Sequence, residues 1–543
     1  MVFARRSTTL LAAIIASCAM VLSLTACTSD NKTVVDGQTT VTSNSAGGVA
    51  VFTPSDGITL NQQTPLNKWA KLVPDLAKAL ADAGFKKGDI DHTTSDSLAK
   101  QSRAIQDFVV DHLSNNTTDD SGIAIAPDNM TLLVAPVVEA DASTRQYGDY
   151  VSQNLSTNDA TDGEATSDGE SSEDDSSKDD SSNTESDSTA SDEQAQAVDR
   201  LVSSLKLAKE SGMHVVLLGN SIEGYKPDAF VKFSDAQTIG KLQAEKMVSK
   251  LKLDKASKDN PKYIEVLLPY TAVDEKGNAN DSTFAQEAFR GIWQVLGSYY
   301  QKGVVESPSG TLDGKSTEND WQAVAYDAAK EGSTAKVLDK RLAKTDGQST
   351  LTRIDGIITM NDYIASEVVK ELDDLGYTGS AADINPQITI SGIVGNITGK
   401  KDLSRDAVPD PIKSPENDNA NDSSSSDDDA DEDTSASDKD RDSQWPLVTG
   451  YGAYVSNIPS IVNGTQWMTG MEDRQTIATD IAQACAKLNK DEALNSMPSI
   501  RNSEVGGVKK IPTISEPLLA VSASNLKSAL IDPGYISLAD AGL

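Results

Sequence analysis

The chain has few cysteines, histidines, aromatic residues and positive charges for its length. Its 543 residues include 3 Cys and 3 His, and only 5% are aromatic. So few Cys exclude a disulfide scaffold. The chain has 48 Lys and Arg and 82 Asp and Glu, which gives a formal net charge of -34. This balance excludes a nucleic-acid binder that neutralises phosphates with a basic face. The length exceeds one typical core and predicts two or more lobes.

The first residues have the pattern of a secretory signal. Arg5 and Arg6 precede an apolar run from Leu10 to Leu22, which is too short to span a membrane. Leu24-Thr25-Ala26-Cys27 resembles a bacterial lipobox. The resemblance implies cleavage after residue 26 and diacylation of Cys27, which would anchor the chain on the extracytoplasmic face of the cell membrane. An ordinary signal peptide that contains Cys is the alternative.

Three further segments have compositions that do not predict a folded core. Residues 27–56 are rich in Ser, Thr, Asn and Gly, and we expect a flexible tether there. Residues 158–193 hold 14 carboxylates and one Lys, and residues 416–442 hold 12 carboxylates, one Lys and one Arg. Because neither acidic segment has apolar residues to offset the entropy of ordering, we expect two disordered inserts. Asp427 to Asp433 lacks the Gly and the spacing of an EF-hand calcium loop, so weak cation binding is the most that its composition favours.

The rest of the chain alternates short apolar runs with amphipathic stretches. Strands are predicted at 132–138, 214–218, 263–268, 354–359 and 446–450. Helices are predicted at 69–83, 194–211, 238–251, 283–297 and 365–375. Gly84, Gly212 and Gly376 follow three of these helices and are typical C-cap residues. The pattern predicts an α/β protein with two doubly wound parallel sheets.

Polar and aromatic residues follow several of these strands, where open α/β sheets bind ligands. They are Asn220-Ser221, Asn278, Asn280, Asp281, Asn361-Asp362-Tyr363 and Tyr451-Gly452-Ala453-Tyr454. Amides and carboxylates with aromatic faces suit an uncharged, polyhydroxylated ligand. The alternative is turn chemistry, because Asn, Asp and Gly are common in strand-to-helix connections.

Several longer stretches resemble type 1 solute-binding lipoproteins of the xylose-type and multiple-sugar-binding branch. The resemblance runs from about Gly57 to Leu543 and excludes the acidic inserts. Its stretches are 67–69, 233–244, 448–453, 462–466 and, in the most branch-specific tail, 507–512, 517–519, Val521, 525–527 and 530–535. The resemblance implies a bilobed, hinged protein, a type 1 periplasmic binding protein, that closes on a sugar and presents it to an ABC permease. The implied N-terminal lobe is 57–255 plus 472–510, and the implied C-terminal lobe is 256–471 plus 511–543.

The resemblance also implies a set of ligand-binding residues. Trp69 stands at the position of a pocket aromatic, and Asn361 and Asp362 stand at the positions of an Asn-Asp pair that bonds the sugar. Six positions depart from the family: Asn220-Ser221 replaces Asp-Arg, Tyr451-Gly452 replaces Gln-Asp, Glu472 replaces Lys and Lys68 replaces Arg. We expect a buried Glu472 to pair with Lys68 or with the ligand. The full candidate set is Lys68, Trp69, Asn220, Asn280, Asp281, Asn361, Asp362, Tyr451 and Glu472.

Other functions fit the sequence less well. Gly310 to Ser316 is one residue short of a P-loop, and the chain lacks a nucleophile elbow and His residues with metal spacing, so we expect no enzyme, no metal and no cofactor. The expected partners are a small ligand, permease subunits and the membrane through the lipid, with the protein a monomer that binds no nucleic acid. Two alternatives stay open: a surface sensor or interaction protein with a degenerate sugar site, and a nucleoside-type ligand stacked on Tyr363, Tyr451 or Tyr454.

Overall fold

The computed structural model describes residues 46–55, 65–115, 126, 129–138, 144–156, 184–273, 280–328, 330–343, 350–381 and 443–543. The predicted signal peptide, Cys27 and the acidic range 416–442 lie outside the described residues. In the described part of the chain, no helix is long and apolar enough to cross a membrane.

The helices and strands alternate along most of the chain. The helices are α1 (Trp69–Asp82), α2 (Leu98–Asn115), α3 (Thr184–Glu210), α4 (Ala236–Leu251), α5 (Thr283–Gln301), α6 (Trp321–Val324), α7 (Ser333–Arg341), α8 (Asp362–Leu375), α9 (Ile458–Asn463) and α10 (Arg474–Leu488). The strands are β1 (Gly48–Pro54), β2 (Ile90–Ser95), β3 (Met130–Val134), β4 (Asn154–Leu155), β5 (His214–Leu218), β6 (Ser221–Ile222), β7 (Ala229–Lys232), β8 (Lys262–Val266), β9 (Leu268–Pro269), β10 (Val305–Glu306), β11 (Ala325–Tyr326), β12 (Gly356–Ile358), β13 (Leu447–Val448), β14 (Met468–Met471), β15 (Ile500–Val505), β16 (Val508–Ser515) and β17 (Leu519–Ser522).

The first lobe is built on a seven-stranded sheet in the order β15-β16-β7-β5-β3-β1-β2, parallel except for the β15–β16 hairpin. Alternate residues of each central strand enter different cores. Val216 and Leu218 pack with α1 and α10, whereas Val215 and Leu217 pack with α2 and α3. Because both faces of the sheet are covered by helices, the prediction of a doubly wound parallel sheet is confirmed for this lobe.

The second lobe has a smaller parallel sheet in the order β10-β8-β12-β13. Helices α4, α5, α7 and α8 pack with this sheet in one core that contains Ile264, Val266, Ile357 and Ile358. Next to it, β14 and β17 pair antiparallel, and the C-terminal residues pack around α9 in a satellite core. The structure therefore confirms the predicted α/β class with two parallel-sheet lobes.

Within the described residues, the chain crosses between the lobes three times. The first crossing follows β7, because α4 starts at Ala236 and already packs in the second core. The second lies between β14 and α10, and the third between β16 and β17. Two implied boundaries therefore shift: residues 236–255 belong to the second lobe, and 511–515 belong to the first sheet. In both cases a segment belongs to the lobe whose core it packs against. The sequence pattern alone does not show which core that is.

The start of the first lobe corrects the predicted tether. Gly48–Pro54 forms a strand between β2 and β3 whose residues are nearly all buried. The tether prediction is therefore wrong for these residues, because Val49, Val51 and Phe52 supply apolar contacts to both faces of the sheet. The first acidic segment is described only from Thr184 onward, where α3 begins; residues 158–183 lie outside the described residues.

The five predicted strands and five predicted helices are all present, with ends that differ by a few residues and α3 starting earlier. Gly84, Gly212 and Gly376 have φ angles of 99°, 98° and 91°. Residues with a Cβ rarely adopt this left-handed conformation, so the glycines end their helices as predicted.

Candidate functional site

The loops that follow strands of the two parallel sheets contact each other near the three crossings, and we call this region between the lobes the cleft. Side chains from both lobes are bonded to each other there. The first lobe contributes Gln146, Tyr147 and Ser234, and the second lobe contributes Asn361 and Tyr451. Ligands of open α/β sheets bind at the loops that follow the strands, so this cleft is the candidate site.

Asn361 is fully buried and contacts the first lobe. Its Oδ1 accepts the backbone N–H of Ile364 at 2.9 Å, which caps α8, and its Nδ2 donates to Oε1 of Gln146 at 3.0 Å. Tyr454 also contacts Gln146, because its hydroxyl donates to the Gln146 backbone carbonyl at 2.7 Å. Asn361 thus lies where the two lobes meet, and one N–H of its amide is bonded to a side chain of the other lobe.

Tyr451, Ser234 and Glu472 form a second contact between the lobes. The hydroxyls of Tyr451 and Ser234 lie 2.5 Å apart. Glu472 Oε1 accepts the backbone N–H of Ser234 at 2.5 Å and the hydroxyl of Tyr451 at 3.4 Å. Because Ser234 and Glu472 lie on two different crossings, this cluster ties the two crossings together.

Burial changes the acidity of this cluster. Burial raises the pKa of Glu472 to about 7, although the hydrogen bonds from Ser234 and Tyr451 act in the opposite direction. Burial also raises the pKa of the Tyr451 hydroxyl, and the Glu472 carboxylate adds to that rise. Lys68 does not pair with Glu472, because its Nζ lies 2.8 Å from Asp149 Oδ1 instead. That part of the sequence expectation is wrong.

Asp362 organises the second lobe from inside. Its Oδ1 accepts Nε2 of Gln466 at 2.7 Å, and its Oδ2 accepts the backbone N–H of Tyr454 and the hydroxyl of Thr469, both at 2.9 Å. Burial raises the pKa of Asp362 to about 6 against the effect of these donors. The carboxylate therefore fastens α8, β14 and the residues after β13 to one another.

Trp69 and Lys68 lie at the first-lobe side of the cleft. Trp69 is 3% exposed and packs edge-to-face against Tyr150 and Phe233, with ring centroids 5.1 and 5.7 Å away. Asp149 accepts both Lys68 Nζ and the backbone N–H of Trp69. In this conformation Trp69 is a core residue of the first lobe, so its ring faces protein side chains on at least two sides.

Asn220 also has protein partners for both ends of its amide. Its Oδ1 accepts the backbone N–H of Gln153 at 3.0 Å, and its Nδ2 donates to the carbonyl of Pro136 at 2.9 Å. These bonds hold the loops after β3 and β5 together. The turn-chemistry alternative describes Asn220 in this structure.

Asn280 and Asp281 have turn geometry. Asn280 Nδ2 donates to the carbonyl of Thr271, and Asp281 Oδ1 accepts both the N–H and the hydroxyl of Thr283 at the start of α5. Asp281 is exposed. Neither side chain bonds to the other candidate site residues.

The turn geometry gives a first prediction. We expect Asp281→Ala to lower the free energy of unfolding by about 1 kcal/mol, because the hydrogen bonds that Thr283 donates to its carboxylate are lost. Urea denaturation measures this change, and Glu245→Ala on the exposed face of α4 is the control, expected within about 0.5 kcal/mol of wild type. Ligand affinity should be unchanged by Asp281→Ala. A large loss of affinity would show that Asp281 contacts the ligand.

The sequence reasoning missed the segment Gln146-Tyr147-Gly148-Asp149-Tyr150. Its residues contact Asn361, Tyr451, Lys68 and Trp69, which are four of the candidate residues. The sequence does contain an indication of this site. Two Tyr flank Gly148-Asp149 in a chain with 5% aromatics, and this stretch follows β3. Neither hydrophobic periodicity nor the family resemblance marked it.

Two further features bear on chemistry. Nδ2 of the buried Asn67 has no hydrogen-bond partner among the described residues, although Asn67 Oδ1 accepts the N–H of Glu472 at 3.4 Å. No group of three or more His, Cys, Asp or Glu side chains that could hold a metal occurs in the part of the chain that the structure describes. The donor set of the cleft is amide, hydroxyl and carboxyl.

Comparisons with known proteins give only solved structures. No family model and no curated protein matches the chain. A solute-binding protein of an ABC transporter from Clostridium phytofermentans with bound β-D-glucose has a TM-score of 0.44 and 17% identity, over 91% of this chain and 99% of that one. A carbohydrate-transporter solute-binding protein from Chloroflexus aurantiacus with D-glucose has a TM-score of 0.43 and 17% identity, over 92% and 98%. A periplasmic ribose ABC transporter protein from Conexibacter woesei has a TM-score of 0.41 and 13% identity, over 90% and 96%. TM-scores below 0.5 do not by themselves assign a function.

Proposed function

We propose that this chain is an extracytoplasmic, lipid-anchored binding protein that captures a sugar or a related small polar solute by hinge closure and delivers it to an ABC permease. One observation carries the proposal. Two parallel-sheet lobes are joined by three short crossings, and buried polar side chains at the strand ends of one lobe bond to those of the other. A ligand that contacts groups of both lobes at once favours the closed state over the open one.

The chemistry of the cleft favours an uncharged ligand rich in hydroxyl groups. Asn361 offers an amide, and Ser234 and Tyr451 offer hydroxyls that both donate and accept. The buried Nδ2 of Asn67 has no hydrogen-bond partner among the residues that the structure describes. A hydroxyl group can satisfy each of these because it is both donor and acceptor. The function so proposed is binding and transfer of an unaltered solute, without catalysis.

The membrane part of the proposal rests on the sequence. The lipobox-like residues that end at Cys27 support a lipid anchor, and the family resemblance supports a permease partner. Acyl-chain labelling of the protein in cells, with Cys27→Ser as the comparison, tests the anchor. Labelling that persists in the Cys27→Ser variant would contradict it.

A thermal-shift screen tests the binding proposal. A ligand present at about 100 times its Kd should stabilise the native protein by about 2.7 kcal/mol, because it binds only the native state. We expect a pentose, hexose or oligosaccharide to raise the melting temperature in a concentration-dependent way. A stronger response to nucleosides than to every sugar would replace the sugar with the nucleoside-type ligand.

The second candidate function is a surface sensor or interaction protein with the same fold and a degenerate sugar site. The observation that favours it is the satisfaction of cleft residues by one another, as in the pairing of Asn361 with Gln146. A protein of that kind would show no melting-temperature shift with any sugar. Co-purification from detergent-solubilised membranes separates the two, because transport requires permease subunits and sensing does not.

A further inference from the structure

The segment from Gln146 to Tyr150 crosses the cleft where a ligand would lie. It follows β3 in the first lobe, and Tyr147 ends a short 3-10 helix, Thr144–Tyr147. The ring of Tyr147 packs in the core of the second lobe, with its centroid 4.7 Å from that of Phe284 and 6.3 Å from that of Tyr451. It is 1% exposed.

Gln146 completes the contact with the second lobe. Its side-chain oxygen accepts the amide N–H of Asn361, and its backbone carbonyl accepts the hydroxyl of Tyr454. Asn361 is the amide that the family resemblance assigns to the sugar. Gln146 therefore occupies a donor that a bound hydroxyl group would use.

The other end of the segment is fastened to the first lobe. The N–H of Asp149 donates to the carbonyl of Asn67 at 2.8 Å, its carboxylate bonds Lys68 and Trp69, and the hydroxyl of Tyr150 donates to the carbonyl of Lys68 at 2.5 Å. Gly148, with φ +97°, lies so close to Asn67 that a Cβ would be 2.6 Å from the Asn67 carbonyl oxygen. The fastening thus depends on a glycine at the base of the segment.

We propose that Gln146 and Tyr147 form an internal plug that holds the two lobes closed without a ligand and that a ligand must displace. The segment is fixed on one lobe and bonded to the other through the ligand-facing groups, which is the arrangement of a competing intramolecular ligand. The plug makes binding selective. A solute can replace Gln146 and Tyr147 only if its binding free energy to the cleft groups exceeds theirs. The identity of the competing solute rests on the proposed function; the closed state without ligand does not.

Small-angle X-ray scattering of the full chain without sugar tests the plug directly. We expect Gln146→Ala/Tyr147→Ala to increase the radius of gyration relative to wild type, because the contacts that bridge the lobes are lost. Tyr454→Phe removes one bridging hydrogen bond from the opposite lobe at little risk to folding and should shift the radius in the same direction by less. Ser156→Ala, an exposed change six residues beyond the plug segment, is the matched control and should leave the radius unchanged.

Binding gives the second readout. When the thermal-shift screen has identified a sugar, the double variant should bind it about tenfold more tightly than wild type, because the competing closed state is removed and the competent fraction rises. An unchanged radius of gyration in both the double variant and Tyr454→Phe overturns the plug, as does weaker sugar binding by the double variant. If neither protein binds any sugar while the radius still increases, the plug stands and the proposed function fails.

Discussion

Asp362→Ala is expected to lower the free energy of unfolding by about 3 kcal/mol at pH 8. The carboxylate is fully buried and accepts three donors: Gln466 Nε2, the N–H of Tyr454 and the hydroxyl of Thr469. Removal of the acceptor leaves the Tyr454 N–H without its partner, whereas Gln466 Nε2 and the Thr469 hydroxyl each keep one longer bond, to the carbonyls of Met468 and Gly470. Each buried unsatisfied donor costs about 1–3 kcal/mol. Relief from burying the charge offsets part of this loss, since burial raises the pKa of Asp362.

Urea denaturation of the variant at pH 8 measures the change, and Asp373→Ala is the control. Asp373 lies on the same helix α8 and is exposed, so its replacement should alter stability by no more than about 0.5 kcal/mol. Equal stability of Asp362→Ala and Asp373→Ala would contradict the structural role of Asp362. Because this role is structural, loss of ligand binding in Asp362→Ala alone does not identify a ligand contact.

The second large effect depends on pH. Glu472→Gln is expected to stabilise the protein by about 3 kcal/mol at pH 8 and to leave its stability nearly unchanged at pH 4. Burial raises the pKa of Glu472 from 4.5 to about 7, so the native state binds a proton that the unfolded state releases. The groups facing it are the N–H of Ser234, the hydroxyl of Tyr451 and the like-charged Asp235.

The direction follows from the raised pKa. The stability that wild type gains from a protonated Glu472 is fully present below pH 4.5, falls as the pH rises towards 7, and is absent above that value. Each unit of pKa difference is worth about 1.4 kcal/mol, which gives about 3 kcal/mol for this shift. Gln stays neutral at every pH, and its amide oxygen can accept the two donors that contact Oε1.

Urea denaturation at pH 4, 6 and 8 measures this profile. Glu504→Gln, an exposed change on β15, is the control and should run parallel to wild type at all three values. A lower stability of Glu472→Gln at pH 8 would show that the ionised carboxylate is paired more strongly than its burial costs. That result would show that the pKa of Glu472 is not raised in the native state.

Much of the fold could be predicted from the sequence because its strands are buried on both faces. Continuous apolar runs such as His214–Leu218 mark such strands, and Gly84, Gly212 and Gly376 mark helix ends by the conformation they allow. The strand β1 was missed because Gly48–Pro54 follows a long stretch of Ser, Thr and Asn whose composition dominates the range. The predicted lobe boundaries differ from the observed ones because the amphipathic pattern of α4 suits a helix in either lobe. Only the packing of α4 shows to which lobe it belongs.

The candidate site was predicted less well than the fold. The position of Asn361, Tyr451 and Glu472 near the cleft follows from their place after strands and at a crossing. Which partner each would take did not follow, because a hydrogen bond depends on what the other lobe presents. Lys68 pairs with Asp149 rather than with Glu472, and Asn361 bonds to Gln146. Asp149 and Gln146 both lie in a segment without hydrophobic periodicity.

The central claim is that the chain binds one small polar solute between its lobes, and isothermal titration calorimetry tests it most directly. Pentoses, hexoses, disaccharides and nucleosides should be titrated into wild type and into the Gln146→Ala/Tyr147→Ala variant. We expect saturable binding of a sugar at one molecule per chain, tighter in the variant than in wild type. Absence of binding heat for every compound in both proteins, at several temperatures, would contradict it.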